Sequence, residues 1–440
     1  MNGTKHKNRH YAWIVMIGCG LMISGSIGFF TVVAGSFYVP VSQSLGVEES
    51  TLAWYMTIVS LGQAISMPLA GRLVPRMNIP VHMTLICAVE ALAGAAMAFY
   101  TDVSMWYVSG AVIGFCMGFN TSVGIAIILN NWFVRRAGFA IGMAWAIASV
   151  CNAIMSPIVT QVIGAIGWRT GYLALAAVSA CIMLSSTVFL LRLSPADKGM
   201  KPYGYEEALA AGEGEGSAAE TEGVDFRSAV RSPAFFALVG AMCLIVMTTV
   251  TNQLFPMYGS SVGFDPTVGS LMVSAAMLCD IAWNPLIGIT CDKFGPAKAI
   301  LLWACVTVVS FGCLLASPSS PALACLGAGL NDSMYAVFGT GMATLTMAIF
   351  GRKDYGRIYS LVPAIGYVVG SVGAPLLTAI YEQTGGFSSV WVFCIVCDVA
   401  IAVLAIVAMR SGRGLSWKRG EDAVVAERAP ALEGGGAQGA

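Results

Sequence analysis

The chain has 440 residues, of which 57% are hydrophobic and only 10% are charged. Ordinary soluble domains carry roughly 25% charged residues, so this composition excludes a soluble protein and indicates a polytopic membrane protein. The 23 basic and 23 acidic residues balance to a formal net charge of zero, which excludes the basic footprint of a nucleic-acid-binding protein.

Apolar windows of about 20 residues, the length that a helix needs to cross the hydrocarbon, recur along the whole chain. The first is too long for the core of a signal peptide and lacks a small-residue cleavage site, so we expect it to remain as a helix. The windows of the first half are 13 to 38, 52 to 72, 80 to 100, 105 to 130, 138 to 163 and 169 to 191. Those of the second half are 234 to 258, 267 to 290, 297 to 317, 322 to 349, 357 to 381 and 387 to 409. The sequence therefore predicts six plus six membrane-spanning helices.

A polar stretch, residues 193 to 233, separates the two sets of windows. It holds seven carboxylates between Glu206 and Asp225 among Gly, Ala and Ser, and such a composition cannot bury enough apolar surface to order itself. We expect a flexible cytoplasmic linker at 193–233. It would join a six-helix bundle at 1–192 to another at 234–410, and a disordered cytoplasmic tail would follow at 411–440.

The basic residues predict the orientation. If both chain ends and the linker lie in the cytoplasm, every Lys and Arg except Arg169 lies on the cytoplasmic side, as the positive-inside rule requires. We expect a multi-pass protein of the cell (inner) membrane with both termini cytoplasmic.

The two halves also repeat each other at one nearly constant offset. Parallel halves of six helices, with a binding site where they meet near the midplane, are one plan of secondary transporters. The matching residues are Gly46 with Gly263, Gly71 with Gly288, Phe133 with Phe350, and Arg135-Arg136 with Arg352-Lys353.

Several segments resemble those of a known family. The segment GITCDKFG at 288 to 295 resembles the loop signature of the major facilitator superfamily, and GRLVPR at 71 to 76 resembles its first-half copy, with Pro75 where the family has an acid. The segment NWFVRRAGFAIG at 131 to 142 resembles the loop-four region of the monocarboxylate and oxalate/formate branches. The resemblance implies an all-α membrane protein with the major facilitator fold: twelve transmembrane helices in two pseudo-symmetric six-helix bundles that rock around a central site.

The interior of the predicted spans holds no Lys or Arg. It does hold four acids: Glu90, Asp280, Asp332 and Asp398. An Asp in hydrocarbon costs about 2.5 to 3.5 kcal/mol on insertion scales, so each acid needs a cavity, a partner or a proton. In the family the third and twelfth spans are outer supports, while the eighth and tenth line the cavity. The resemblance therefore favours Asp280 and Asp332 for function.

The segment LCDIAWNP at 278 to 285 resembles the eighth span of the monocarboxylate branch, where an Asp is followed four residues later by an anion-binding Arg. Here Asp280 keeps the acid and Asn284 replaces the Arg. We expect Asp280 to carry a coupled proton. The substrate-binding candidates are Asp280, Asn284, Asp332, Tyr335, Asn120, Trp145, Asn152 and Tyr38.

The resemblance also implies a cytoplasmic gate, in which Asp292 lies near Arg352 and the start of the fifth span. A helix N-terminus favours an anion there. The full set of gate candidates is Asp292, Lys293, Arg352, Arg76 and Arg135.

These observations favour a secondary transporter, working as a monomer in the lipid bilayer, that moves a small carboxylate with a proton or by exchange. Export or exchange of a neutral or cationic metabolite is the alternative, and a non-transporting membrane sensor is more remote. The CxxC of Cys394 and Cys397 lies in mid-span, where a metal or redox role is not favoured. With no nucleotide-binding loop and no His cluster, we expect no enzyme activity, metal or cofactor.

Overall fold

The computed structural model describes residues 10–47, 49–210 and 223–415. Twelve helices in this part of the chain are long and apolar enough to cross a membrane, which confirms the predicted number. We name them α1 to α12 in chain order: Ala12–Val32, Trp54–Arg76, Ile79–Phe99, Val103–Trp132, Ala137–Ile166, Trp168–Leu190, Pro233–Ser261, Thr267–Phe294, Pro296–Ala316, Pro321–Phe350, Tyr355–Thr384 and Phe387–Gly412.

Several spans change helix type or break along their length. In the first half the pieces are Ala12–Ile23, Ser24–Val32 and the continuation Gly35–Leu45 for α1, Glu49–Leu73 and Val74–Arg76 for α2, Ile79–Ala96 and Met97–Phe99 for α3, Val103–Asn120 and Ser122–Trp132 for α4, and Trp168–Ser185 and Ser186–Leu190 for α6. In the second half they are Pro233–Thr249 and Thr251–Ser261 for α7, Pro321–Asn331, Ser333–Ala336, Val337–Gly341 and Met342–Phe350 for α10, and Tyr355–Gly370 and Gly373–Thr384 for α11.

The break in α4 illustrates how such interruptions are tolerated in an apolar interior. Thr121 leaves the helical region, with φ −115° and ψ −130°. Its hydroxyl donates to the carbonyl of Met117 at 2.6 Å and accepts from the side-chain amide of Gln63 at 3.0 Å. Polar side chains thus satisfy the irregular backbone where no water is available.

The helices form two bundles, α1 to α6 and α7 to α12. The first is filled by large aromatic residues such as Phe29, Trp106 and Trp132. In the second, Phe311 and Trp391 belong to a buried cluster at the end away from the linker. We call the face to which the linker attaches the linker face.

The most extensive contacts between the bundles are those of α5 with α8 and of α2 with α11. Glycines let the backbones meet. A Cβ on Gly142 of α5 would lie 2.1 Å from the carbonyl oxygen of Asn284 in α8, and one on Gly71 of α2 would lie 2.1 Å from that of Gly356 in α11. Such distances are far below van der Waals contact, so larger residues at these positions would push the bundles apart.

The described ends of the linker are structured, and each is hydrogen-bonded to one of the bundles. The Tyr203 N–H donates to the carbonyl of Trp132 at 2.8 Å, and the Val224 N–H donates to that of Phe350 at 2.9 Å. These contacts lie at the repeated loops, since Phe133 matches Phe350. The linker helices are Pro195–Lys198, Tyr205–Ala210 and Phe226–Ala229.

The average composition of the linker predicts that it does not order itself. That average does not reveal the few aromatic residues by which its ends pack against the bundles. The ring of Tyr203 packs edge-on against Trp13, with centroids 5.1 Å apart. For residues 211–222, which hold four of the seven carboxylates, the flexible linker stays a prediction, because these residues lie outside the described ones. The tail residues 416–440 also lie outside the described residues.

Candidate functional site

Asp280 of α8 stands at the centre of a hydrogen-bond cluster that joins the bundles. It is 7% exposed. One carboxylate oxygen accepts from the Ser149 hydroxyl of α5 at 2.5 Å, and the other accepts from the Asn284 amide at 2.7 Å. The same Asn284 amide also donates to the Asp280 carbonyl at 3.0 Å. Asn284 therefore holds the acid in position, and its donor group is already used.

Asp332 of α10 forms a second acidic centre within the second bundle. It is 6% exposed and accepts from the Asn252 amide of α7 at 2.5 Å. It also lies within electrostatic range of Asp280. The side-chain oxygen of Asn252 is buried without a hydrogen-bond partner. The second bundle thus offers an open acceptor beside two carboxylates.

Two aromatic residues cross the bundle interface beside these acids. The rings of Trp145 in α5 and Tyr335 in α10 meet edge-on, with centroids 6.3 Å apart. Tyr335 lies within electrostatic range of Asp280 and Asp332. Five of the predicted substrate-binding residues are thus brought together: Asp280, Asn284, Asp332, Trp145 and Tyr335.

The other three candidates lie apart from this group. Asn120 is fully buried inside the first bundle and donates to the Glu90 carboxylate at 2.5 Å, and Ser26 donates to Glu90 at 2.6 Å. Asn152 packs against Gly28 of α1, with its side-chain oxygen unpartnered. Tyr38 is half-buried in the helix that continues α1.

The two outer acids keep to the supporting helices. Glu90 is braced by the bonds just described, so its carboxylate serves the packing of α1, α3 and α4. Asp398 of α12 is fully buried beside Thr307 of α9. Neither acid is bonded across the bundle interface among the described residues.

Asp292 closes the linker face by capping a helix of the other bundle. Its carboxylate oxygens accept from the backbone N–H groups of Gly138 at 3.0 Å and Phe139 at 2.8 Å, at the N-terminus of α5. The helix dipole makes this end favourable for an anion. The predicted contact with the start of the fifth span is therefore present.

The other gate candidates also lie at the linker face. Arg352 donates to the carbonyl of Phe133 across the interface at 3.4 Å. Arg76 lines a separate cleft between the bundles, Arg135 packs against Gly204 of the linker, and Lys293 is exposed.

Two residues of the site escaped sequence reasoning. Ser149, which bonds Asp280, follows Trp145 by one helical turn, and this spacing on one face of α5 is the signal that could have found it. Arg136 precedes Gly138 and interacts electrostatically with Asp292. Its backbone is left-handed, with φ 64°, which no pattern in the sequence indicated.

The direct side-chain hydrogen bonds between the bundles, among the described residues, run from the linker face to the depth of Ser149 and Asp280. Farther from the linker, Thr160 of α5 and Ser274 of α8 are exposed. The side-chain hydrogen bonds therefore close the contact between the bundles at the linker face.

Residues 19–265 and 237–434 match the family profile described as Major Facilitator Superfamily. The chain belongs to this superfamily. Monocarboxylate transporter 4 of Rattus norvegicus is 22% identical to it over 401 residues, which cover 89% of this chain and 81% of the relative. Another relative, an MFS-type transporter pynF of Aspergillus niger, is 22% identical over 425 residues, which cover 92% of this chain and 90% of the relative.

Solved structures of the superfamily share the fold. FucP in the outward conformation, a transporter of Escherichia coli, superposes with a TM-score of 0.66 at 12% identity and covers 91% of this chain and 99% of its own. Because the similar proteins are major facilitator transporters, the chain is a membrane transporter of this superfamily and not an enzyme.

Proposed function

We propose that this chain is a secondary transporter that moves a small carboxylate together with a proton, and that Asp280 carries the proton. The observation that carries the proposal is the hydrogen bond from Ser149 to Asp280. It places a buried intramembrane acid on the contact between the two bundles. A proton bound there is sensed by both halves of the molecule.

An ionised carboxylate in the protein interior needs hydrogen-bond donors. An ionised carboxylate only accepts hydrogen bonds, and leaving a buried acceptor unsatisfied costs about 1 to 3 kcal/mol or more. Rocking that separates α5 from α8 would withdraw the Ser149 donor from Asp280. A proton on Asp280 offsets that loss, so conformational change and proton binding are linked.

A carboxylate substrate is supported by two observations. The named relative is a monocarboxylate transporter, and the segment at 278 to 285 resembles the eighth span of that branch. The Arg of that branch is replaced by Asn284, whose amide is bonded to Asp280. A protonated Asp280 lets a carboxylate approach without placing two negative charges together, which compensates for the missing Arg.

The proximity of Asp280 and Asp332 also favours a second candidate, the exchange of a cationic solute. Proteoliposomes with an imposed pH step distinguish the two. We expect pyruvate, lactate or a similar small acid to accumulate on the alkaline side. Accumulation of small amines, with no response to any acid in the panel, would establish the second candidate instead.

Removal of either donor should weaken this coupling. We expect Ser149→Ala and Asn284→Ala each to reduce pH-driven uptake by about tenfold, since hydrogen bonds to charged groups contribute about 1.5 to 3 kcal/mol. Thr251→Val is the matched control. It removes the 2.9 Å bond from Thr251 to Asn331 inside the second bundle and should leave uptake near the wild-type rate. Equal losses in all three variants would contradict a special role for the Asp280 donors.

The linker face is proposed to be cytoplasmic, in the cell (inner) membrane, because nearly all basic residues lie there. A reporter that works only in the cytoplasm should be active when inserted near Gly214 and inactive near Ser319. The reverse pattern would invert the topology. Each chain holds both bundles and the interface site, so the proposed working unit is a monomer.

A further inference from the structure

A cleft of about 270 Å³ opens at the linker face between the two bundles. We call it the basic cleft. The first bundle contributes Arg72 and Arg76 of α2 and Asn130 of α4, and the second contributes Arg352, Lys353 and Arg357 before and within α11. The cleft has room for several water molecules, each of which takes about 30 Å³ in the liquid. Among the described residues, five cationic side chains surround it, against one carboxylate, Asp354.

Part of this positive charge is neutralised inside the protein. Lys353 pairs with Asp225 of the linker at 2.7 Å, and Arg357 pairs with Asp354 at 3.5 Å. The remaining carboxylate oxygen of Asp354 accepts from the backbone N–H of Phe226 at 3.0 Å. In the part of the chain that the structure describes, the acid that lines the cleft is therefore occupied and does not neutralise the arginines on the α2 side.

The first bundle supplies the donors that have no partner. Within the described residues, neither Arg72 nor Arg76 makes a hydrogen bond or ion pair, and both are exposed toward the cleft. Asn130 is only 5% exposed and its side chain interacts with Tyr355 of the second bundle, which also lines the cleft. The charges of Arg72 and Arg76 therefore favour an anionic ligand at this point.

We propose that the basic cleft binds a phosphate group, either of a phospholipid headgroup with a net negative charge, unlike the zwitterionic phosphatidylcholine, or of a free phosphate. A phosphate offers several acceptor oxygens and up to two negative charges. The guanidinium fork matches phosphate oxygens in a bidentate manner. Arg72 and Arg76 both line this cleft, so both can face one ligand. Leu69 and Leu73 on the same helix are exposed apolar residues, which brings lipid headgroups within reach of the cleft.

The bound phosphate bridges the bundles and favours the state in which the linker face is closed. Beside the cleft, Gly71 and Gly356 hold α2 and α11 in backbone contact. The cleft exists in this form only while that contact persists. A ligand shifts an equilibrium toward the state that it binds better, so phosphate should oppose opening of the linker face.

Binding is tested on the full chain in nanodiscs by the unfolding temperature and by hydrogen exchange. In one arm, inorganic phosphate is titrated at constant ionic strength into phosphatidylcholine discs. In the other, phosphatidylglycerol replaces part of the phosphatidylcholine, without free phosphate. We expect a higher unfolding temperature in at least one arm, with slower exchange of the Gly138 and Phe139 amides, which Asp292 protects only when the linker face is closed.

The variant Arg72→Gln/Arg76→Gln should weaken the response at least tenfold in ligand concentration. Lys298→Gln/Arg410→Gln is the matched control, because it removes two exposed basic residues outside the cleft and should respond like the wild type. A response confined to phosphatidylglycerol assigns the lipid headgroup, and a response to inorganic phosphate assigns the free anion. No response in either arm, or the same response in the cleft variant and in the control, would overturn the proposal.

Discussion

Asp280→Asn should abolish accumulation driven by a pH gradient while leaving exchange of substrate across the membrane intact. A pH step of one unit stores about 1.4 kcal/mol per proton, enough for about tenfold accumulation of a solute that moves with one proton. The wild type should approach this ratio in proteoliposomes. The variant should only equalise the substrate on the two sides, because its side chain cannot bind or release a proton.

The geometry of the site makes this substitution a clean test. Asparagine has nearly the shape of aspartate, and its side-chain oxygen can still accept from the Asn284 amide that lies 2.7 Å from Asp280. The Ser149 hydroxyl can reverse its role and accept from the new amide, because a hydroxyl both donates and accepts. The fold and the bundle contact should therefore survive, and only the titration is lost.

Asp398→Asn is the control for this experiment. Asp398 is also a fully buried intramembrane acid, but it lies on α12 away from the bundle interface. The Asp398→Asn variant should accumulate substrate as the wild type does. Full accumulation by Asp280→Asn would contradict the proposed role of Asp280. Loss of accumulation in both variants would mean that any change to a buried acid impairs the protein.

Gly142→Ala should shift the transporter strongly away from the state that is closed at the linker face. The added Cβ would lie 2.1 Å from the Asn284 carbonyl oxygen, a contact that backbone on both sides cannot relieve without separating α5 from α8. Overpacking costs about 1 to 3 kcal/mol, and a cost confined to one state changes the ratio of states by about 5-fold to 150-fold. Exchange of the Gly138 and Phe139 amides should accelerate accordingly.

Gly164→Ala provides the control within the same helix, since a Cβ there meets no atom within 4 Å. Asp292→Asn should act in the same direction as Gly142→Ala but more weakly, because an amide oxygen still caps α5 without the full charge. Unchanged amide exchange in Gly142→Ala would show that closure does not depend on the close approach of α5 and α8.

Much of the architecture follows from local sequence. A span is recognised because about 20 apolar residues are needed to cross the hydrocarbon, and this holds whatever the neighbouring helices do. The twelve spans and the relation of the two halves were therefore predictable. So were the four intramembrane acids and the resemblance of residues 288 to 295 to the superfamily loop. The ordered ends of the linker were not predictable, because the stretch is polar on average and only a few aromatic residues, such as Tyr203, pack against the bundles.

The partners of the polar residues were decided only by the tertiary structure. Asn120 and Asp280 both lie inside apolar spans. Yet Asn120 bonds Glu90 within one bundle, whereas Asp280 bonds Ser149 across the interface. The partner depends on how each helix is rotated about its axis and on which helix it meets. In lipid, apolar residues cover every side of a helix, so hydropathy alone does not reveal that rotation. Close backbone packing at glycines such as Gly142 sets it instead, between residues far apart in the chain.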